Sequence, residues 1–131
     1  LSQSRQELGR WGEARAADFL VDQGYSIIER NFRTPYGEID LVAQKTLGPS
    51  AEYQEPQEIL VFVEVKTRTS QSFGYPEEAV TPLKQEHLIS AAQHYLQEHP
   101  HLDLDWRIDV ISIERYPARA PIINHFENAL R

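Results

Sequence analysis

The sequence predicts an α/β fold, a mixed sheet with helices packed against it. Two observations carry this. Hydrophobic patterning runs helix, three strands, helix, then one or two strands, and the third strand is apolar on both faces, as a central strand should be. The chain is also short: 131 residues, 40% hydrophobic and 25% charged, suit one core, so residues 1–131 are read as a single domain.

Ser4 to Gln23 reads as the first helix, with Ala14, Ala16, Ala17, Leu20 and Val21 suited to it and Gly24 as its stop. Tyr25 to Phe32 is a short strand ended by the turn signal Thr34-Pro35-Tyr36-Gly37. Glu38 to Ala43 alternates, with Ile39, Leu41 and Ala43 expected on one side and Glu38, Asp40 and Val42 on the other. Thr46 to Gln57, poor in apolar residues, is expected to be a long and mobile loop. Ile59 to Thr67 is the most β-like stretch. Ser70 to Val80 reads as a loop with one helical turn. Thr81 then caps a helix opened by Pro82, carrying the stripe Leu88, Ala91, Ala92, Tyr95 and Leu96, and ended by Pro100. Trp106 to Ile113 and a weaker Ile122 to Phe126, separated by Pro117 and Pro121, complete the strands.

Composition narrows the function. No cysteine is present, which excludes disulfides, zinc-thiolate sites, iron–sulfur clusters and thiol nucleophiles. The longest aliphatic and aromatic run, Ile59 to Val63, is far below the roughly 20 residues of a membrane span, and no apolar leader opens the chain, so a soluble cytoplasmic protein is expected. The absence of methionine implies that the native start is missing or processed, which leaves room for a short lost leader. The net charge of −7 argues against nucleic-acid binding by bulk charge. Up to Tyr36, however, Arg5, Arg10, Arg15, Arg30 and Arg33 balance Glu7, Glu13, Asp18, Asp22 and Glu29, so a basic face can survive locally.

Charges inside apolar segments point to chemistry. In Ile59 to Thr67, Glu64 and Lys66 interrupt a core-like run, and burying them is costly unless they are paired or bind something. Being two apart on a strand, they share a face about 6.6 Å apart. Asp40 on the preceding strand converges with Glu64 if the two strands pair. Glu13 has Ala16, Ala17 and Leu20 at three, four and seven residues further on, which turns it inward. Gly9 and Gly12 permit that helix to approach a sheet closely. Three acids and a lysine in apolar surroundings are satisfied together by one divalent cation, and oxygen ligands select Mg²⁺ or Mn²⁺ over zinc.

These residues carry a resemblance. Gly12-Glu13 in a first helix, Gly37-Glu38-Ile39-Asp40-Leu41, Val63-Glu64-Val65-Lys66-Thr67-Arg68, then Pro76-Glu77-Glu78-Ala79-Val80 and Lys84 resemble the bacterial UPF0102 (YraN-like) family, from about Arg10 to Ile113. That family is similar to the restriction-endonuclease-like superfamily of PD-(D/E)XK nucleases, and within it to archaeal Holliday-junction resolvases, with a core ordered αβββαβ. The resemblance implies a Mg²⁺- or Mn²⁺-dependent endonuclease acting on structured or branched DNA. Its catalytic residues would be Glu13, Asp40, Glu64 and Lys66. Asp40, Glu64 and the Val65 carbonyl would hold the metal, and Arg10, Arg33, Thr67, Arg68 and Lys84 would contact phosphate. The net charge of −7, together with the habit of such relatives, points to a symmetric homodimer that brings two basic N-terminal surfaces and two sites to one duplex or junction, the alternative being a monomer that nicks one strand. The Thr46 to Glu58 segment looks longer than is usual there.

The alternative is a non-catalytic nucleic-acid or protein-binding module that keeps the nuclease fold. Retention of all three acids and the lysine favours the enzyme. A glycosidase with paired carboxylates has less support, because neither Lys66 nor a third acid is required there. His94, His99 and His101 lack the spacing of paired imidazole ligands and are read as solvated. There is no glycine-framed nucleophile elbow and no phosphate-cradling glycine loop. Trp11, Trp106, Tyr25, Tyr36, Tyr75 and Tyr95 can stack on bases, although core packing accounts for them equally well.

Overall fold

The computed structural model describes residues 2–69 and 80–130, with side chains from residue 5 onward. The Ser70 to Val80 loop and the Pro76-Glu77-Glu78-Ala79 motif therefore lie, but for Val80, outside the described residues, as does Tyr75. The elements are α1 (Ser2–Asp22), β1 (Ser26–Thr34), β2 (Gly37–Leu47), β3 (Gln57–Thr69), α2 (Pro82–Glu98), β4 (Asp105–Tyr116) and β5 (Arg119–Phe126). The five strands form one sheet in the order β1-β2-β3-β4-β5. Only the β3–β4 pair is parallel, reached through α2; the others are antiparallel. This is the expected mixed α/β fold, in the αβββαβ order of a restriction-endonuclease-like core with β5 added at the edge.

Side-chain alternation on β3 sets the layers. Ile59, Val61, Val63 and Val65 join Ala16, Ala17 and Leu20 of α1 in one core cluster. Leu60 and Phe62 join Leu88, Ala91, Ala92 and Tyr95 of α2 in the other, so each helix covers one face of the sheet. Helix α1 ends as Gly24 implies: that residue has φ 93°, and Gly24 N–H and Tyr25 N–H donate to the Val21 and Leu20 carbonyls at 3.0 and 2.9 Å. Helix α2 begins as expected, with Thr81 Oγ1 accepting from Lys84 N at 3.2 Å and Pro82 in the first turn.

Four expectations need correction. The ladder between β2 and β3 continues through Thr46↔Glu58 and Leu47↔Gln57, so the expected long loop shrinks to residues 48–56; polar side chains there stand on a paired backbone. Ile39 packs with Val42 in the α2 cluster rather than with Leu41 and Ala43. The pleat breaks at Asp40: pairing with β3 starts only at Leu41, and across from Asp40 Asn31 has φ 51°. Pro121 lies within β5, where an edge strand tolerates a residue without an N–H donor. His99 is not solvated but closes α2, its Nδ1 2.8 Å from the Tyr95 carbonyl and its ring stacked on Tyr95 at 3.9 Å, while His94 lies 3.0 Å from Glu98.

One buried charge has no counterpart in the sequence reading. Asp109 on β4 is 0% exposed and accepts from Arg107 Nε at 3.0 Å, His125 Nε2 at 2.7 Å and the Asn128 backbone N–H at 2.8 Å. Arg107 Nη2 donates in turn to Tyr25 Oη at 2.8 Å, so the network ties β4, β5 and the α1–β1 junction together.

Gly12 sets how closely α1 approaches the sheet. A Cβ there would lie 1.9 Å from Thr67 Oγ1 and 3.0 Å from Thr67 Cβ, whereas Gly9 has open space. Gly12→Ala is expected to destabilise the protein by about 1–3 kcal/mol through overpacking. Thermal denaturation should show a lower Tm, partly restored by Thr67→Ala in the same chain.

Candidate metal centre

Beyond Leu41↔Val63 the main-chain ladder between β2 and β3 stops, and the strands fork. Asp40 occupies the fork. Its Oδ2 accepts from the Val65 backbone N–H at 2.8 Å, so a side-chain carboxylate takes the place that a β2 carbonyl would otherwise fill. An N–H and C=O of one strand residue point to the same edge, so the Val65 carbonyl also faces the fork.

Glu64, 5% exposed, stands beside Asp40 from β3. Lys84 Nζ lies 3.3 Å from Glu64 Oε2, and Lys66 Nζ lies 4.0 Å from Oε1. Lys84 thus pairs with the buried Oε2 by charge, without a hydrogen bond of good geometry. Burial first, and then the charge of Glu64, push the Asp40 carboxyl up to about 8 from its usual 3.8, against the Val65 N–H, which lowers it. A hydrogen bond between the two carboxyl groups exists only while one holds a proton. This space is therefore satisfied in two ways, by a shared proton or by a cation.

Glu13 of α1 comes to the same place. One oxygen each from Glu13, Glu38 and Asp40 lie within 4.8 Å of one another. The structure thus brings together all four residues expected to be catalytic, with Glu13 and Asp40 touching one side of the fork and Glu64 and Lys66 the other.

Comparison with known proteins agrees with this arrangement of motifs. Residues 12–113 match the model of the family described as "Uncharacterised protein family UPF0102". The chain belongs to UPF0102. A UPF0102 protein of Syntrophomonas wolfei subsp. wolfei is 47% identical over 123 residues, 94% of this chain and 96% of that one. Another, from Syntrophotalea carbinolica, is 43% identical over 129 residues, covering 98% and 95% of the two chains. The span matched by UPF0102 holds Gly12, Glu13, Asp40, Glu64, Lys66 and Lys84, and stops before β5.

Two residues of this UPF0102 site were missed in the sequence. Glu38 is the third carboxylate of the cluster, and Asn31 Nδ2 donates to both Glu13 Oε1 at 2.9 Å and Glu38 Oε1 at 2.8 Å. The same-face argument applied to Glu64 and Lys66 would have singled out Glu38, two residues before Asp40. Asn31 carries no such signal, since its role needs a left-handed backbone and two distant acids.

The expected phosphate contacts are placed unevenly. Lys84 borders a cleft of about 90 Å³ lined also by Tyr36, Gly37, Glu38 and His87, next to the fork. Arg33 is 89% exposed, with Nε 3.8 Å from Glu38 Oε2, and Arg10 is exposed on α1. Arg68 follows Lys66 on its face of β3. Thr67 is turned to the other face, against Gly12. Among the aromatic residues, Tyr25 and Tyr95 are buried, Trp106 packs edge-on against Phe62, and Trp11 lies under Arg115 at 4.8 Å; Tyr36, 50% exposed, is the one beside the cleft.

The raised Asp40 value fixes a sign. The folded protein keeps a proton that the unfolded chain releases above about pH 4, so this contribution to stability is complete below that pH and is lost progressively as pH rises towards 8. In chelator-treated protein, the wild type should lose more Tm between pH 5 and pH 8 than Asp40→Asn, which stays neutral throughout. Parallel curves for the two proteins would contradict the assignment.

Proposed function

We propose that this protein is a Mg²⁺- or Mn²⁺-dependent endonuclease of the PD-(D/E)XK kind that hydrolyses phosphodiester bonds in structured or branched DNA. The observation that carries the reading is the Asp40–Glu64 pair, two carboxyl groups crowded into the fork, one of whose buried oxygens has an ammonium group at 3.3 Å but no hydrogen bond. Such an arrangement destabilises the fold and suits a cation. The donors are all oxygens, which fits a hard divalent ion. Asp40, Glu64 and the Val65 carbonyl would hold it, with Glu13 completing the set.

When bound, the ion supplies Lewis-acid polarisation of a phosphoryl oxygen and lowers the pKa of a water. The protein's own groups do the rest. Lys66, with its side chain 28% exposed on the face of Glu64, orients the attacking water and offsets charge developing on the phosphate. Lys84, in the first turn of α2, meets a phosphate oxygen at the cleft. Arg10, Arg33 and Arg68 meet flanking phosphates. With a net charge of −7, attraction to DNA rests on these local cations, so binding should weaken steeply with salt. No described helix is long and apolar enough to cross a membrane, in keeping with a substrate in the cytoplasm. Two copies on one junction would present two centres, and light scattering that finds a monomer both free and DNA-bound would overturn that arrangement.

On a branched DNA substrate with Mg²⁺, Asp40→Asn and Glu64→Gln are each expected to remove cleavage, and Lys66→Ala to slow it by at least about 100-fold. Calorimetry should show Mn²⁺ affinity lost in both acid variants and kept in Lys66→Ala. Affinity in the wild type should rise from pH 6 to pH 8 with release of a proton, because Asp40 must ionise to coordinate. Wild-type cleavage in both acid variants would end the assignment.

A further inference from the structure

We propose that Arg115 and Arg119 form a second phosphate-contacting surface, which holds the sugar-phosphate backbone of a DNA arm on the β4–β5 side of the site. The inference rests on the DNA-directed reading above and extends it to residues beyond the 12–113 span matched by the family. Past Lys66, β3 and β4 run on in parallel register to Thr69↔Arg115, and Tyr116 pairs with Arg119 where the chain turns into β5. Arg115 to Pro121 therefore stand at the same end of the sheet as Lys66 and Arg68. This stretch holds two arginines and no acid, in a chain of net charge −7.

Each guanidinium is carried on an aromatic ring. Arg115 Cζ lies 4.8 Å from the Trp11 ring centroid, and Arg119 Cζ lies 4.0 Å from that of Tyr116. Among the described residues neither arginine is ion-paired with a carboxylate, and the acid nearest in sequence, Glu114, accepts from Tyr116 Oη at 2.5 Å. A ring face orients a guanidinium without neutralising it, so the charge stays available to a phosphate. The same contacts decide which part of DNA is met. Trp11 packs against the α1 core cluster and under Arg115, which leaves it no platform for bases, whereas a guanidinium held in place suits phosphate oxygens. Arg115 stands three residues further along and one strand across from Lys66. With about 3.3 Å per residue and about 4.8 Å between strands, their Cα atoms are about 11 Å apart. One DNA strand rises about 3.4 Å per nucleotide, so a backbone held at Lys66 comes within reach of Arg115 about three nucleotides on. Arg10, exposed on α1 one residue before Trp11, borders the same surface.

The test measures binding of the full chain to a fluorescently labelled branched DNA with duplex arms, in chelator, by anisotropy over a range of salt concentrations. Arg115→Gln and Arg119→Gln should each weaken binding by about 3–10-fold and lower the slope of log affinity against log salt by about 1. Arg115→Lys should restore most of both. Arg15→Gln removes the same charge from a side chain already paired with Asp18 at 3.2 Å, and should change neither. All three arginines are exposed, and equal Tm values check that each variant keeps its fold. A wild-type slope in both Arg115→Gln and Arg119→Gln, or an equal loss in Arg15→Gln, would overturn the proposal, while Mg²⁺-dependent cleavage by the same wild-type protein would keep the nuclease reading in place. A lowered slope in a protein that never cleaves would uphold this surface and end the catalytic reading. No binding of DNA by the wild type would overturn both.

Discussion

The hydrogen bond from the Val65 backbone N–H to Asp40 is the constraint on which the site depends. A backbone donor inside a sheet must be satisfied, and a carbonyl of β2 is the ordinary acceptor. Supplying a carboxylate instead lets β2 leave the ladder one residue early without an orphaned N–H, and the fork so opened is where the other groups meet. Glu64 and Lys66 come from the strand that continues past the fork. Glu13 arrives because Gly12 lets α1 lie directly on Thr67. Loosening either contact moves an acid out of a space only a few ångströms wide.

Asp109 and the Asp40–Glu64 pair show how structure separates scaffold from chemistry on this sheet. Asp109 is completely buried, yet its oxygens receive hydrogen bonds from Arg107, His125 and Asn128. Its charge is compensated, and it needs no ligand. In the Asp40–Glu64 pair Glu64 is buried and Asp40 half-buried, one Glu64 oxygen has an ammonium group nearby but no hydrogen bond, and Asp40 is driven towards its neutral form. One carboxylate secures the C-terminal strand; the other pair is held against its own electrostatics by the surrounding packing. On the proposed metal-dependent reading, that asymmetry, rather than the number of acids, is what sets the fork apart.

Much of this was legible in the sequence. The element order followed from changes of period between 3.6 and 2, and Glu13, Asp40, Glu64 and Lys66 from charges set in apolar segments. Lys84 followed from the family motif. What escaped depends on pairing between distant residues. Lys45, Thr46 and Glu58 look like loop because their side chains are polar, but a ladder uses only their backbones. Ile39 changes face where β2 leaves the β3 ladder and Asn31 across from Asp40 has φ 51°, and no local alternation contains that information. Asp109 was within reach, since a carboxylate between Ile108 and Val110 presents the same anomaly as Glu64 between Val63 and Val65.

Charge accounting connects the fork to its surroundings. Without a cation, Glu64 is approached by two ammonium groups, Lys66 from its own strand and Lys84 from the start of α2, and the closer one comes from the more distant element. On the metal-dependent reading, a divalent ion takes over the compensation of Glu64 and repels both ammonium groups at short range. Lys66 and Lys84 are then driven outward, towards the cleft beside Tyr36 and Gly37, where a phosphate would lie. Filling the fork and presenting cations to the substrate are two sides of one redistribution of charge. On that reading the ion and the two ammonium groups offset the four acids gathered there, so a protein with a net charge of −7 can admit a phosphate at this place.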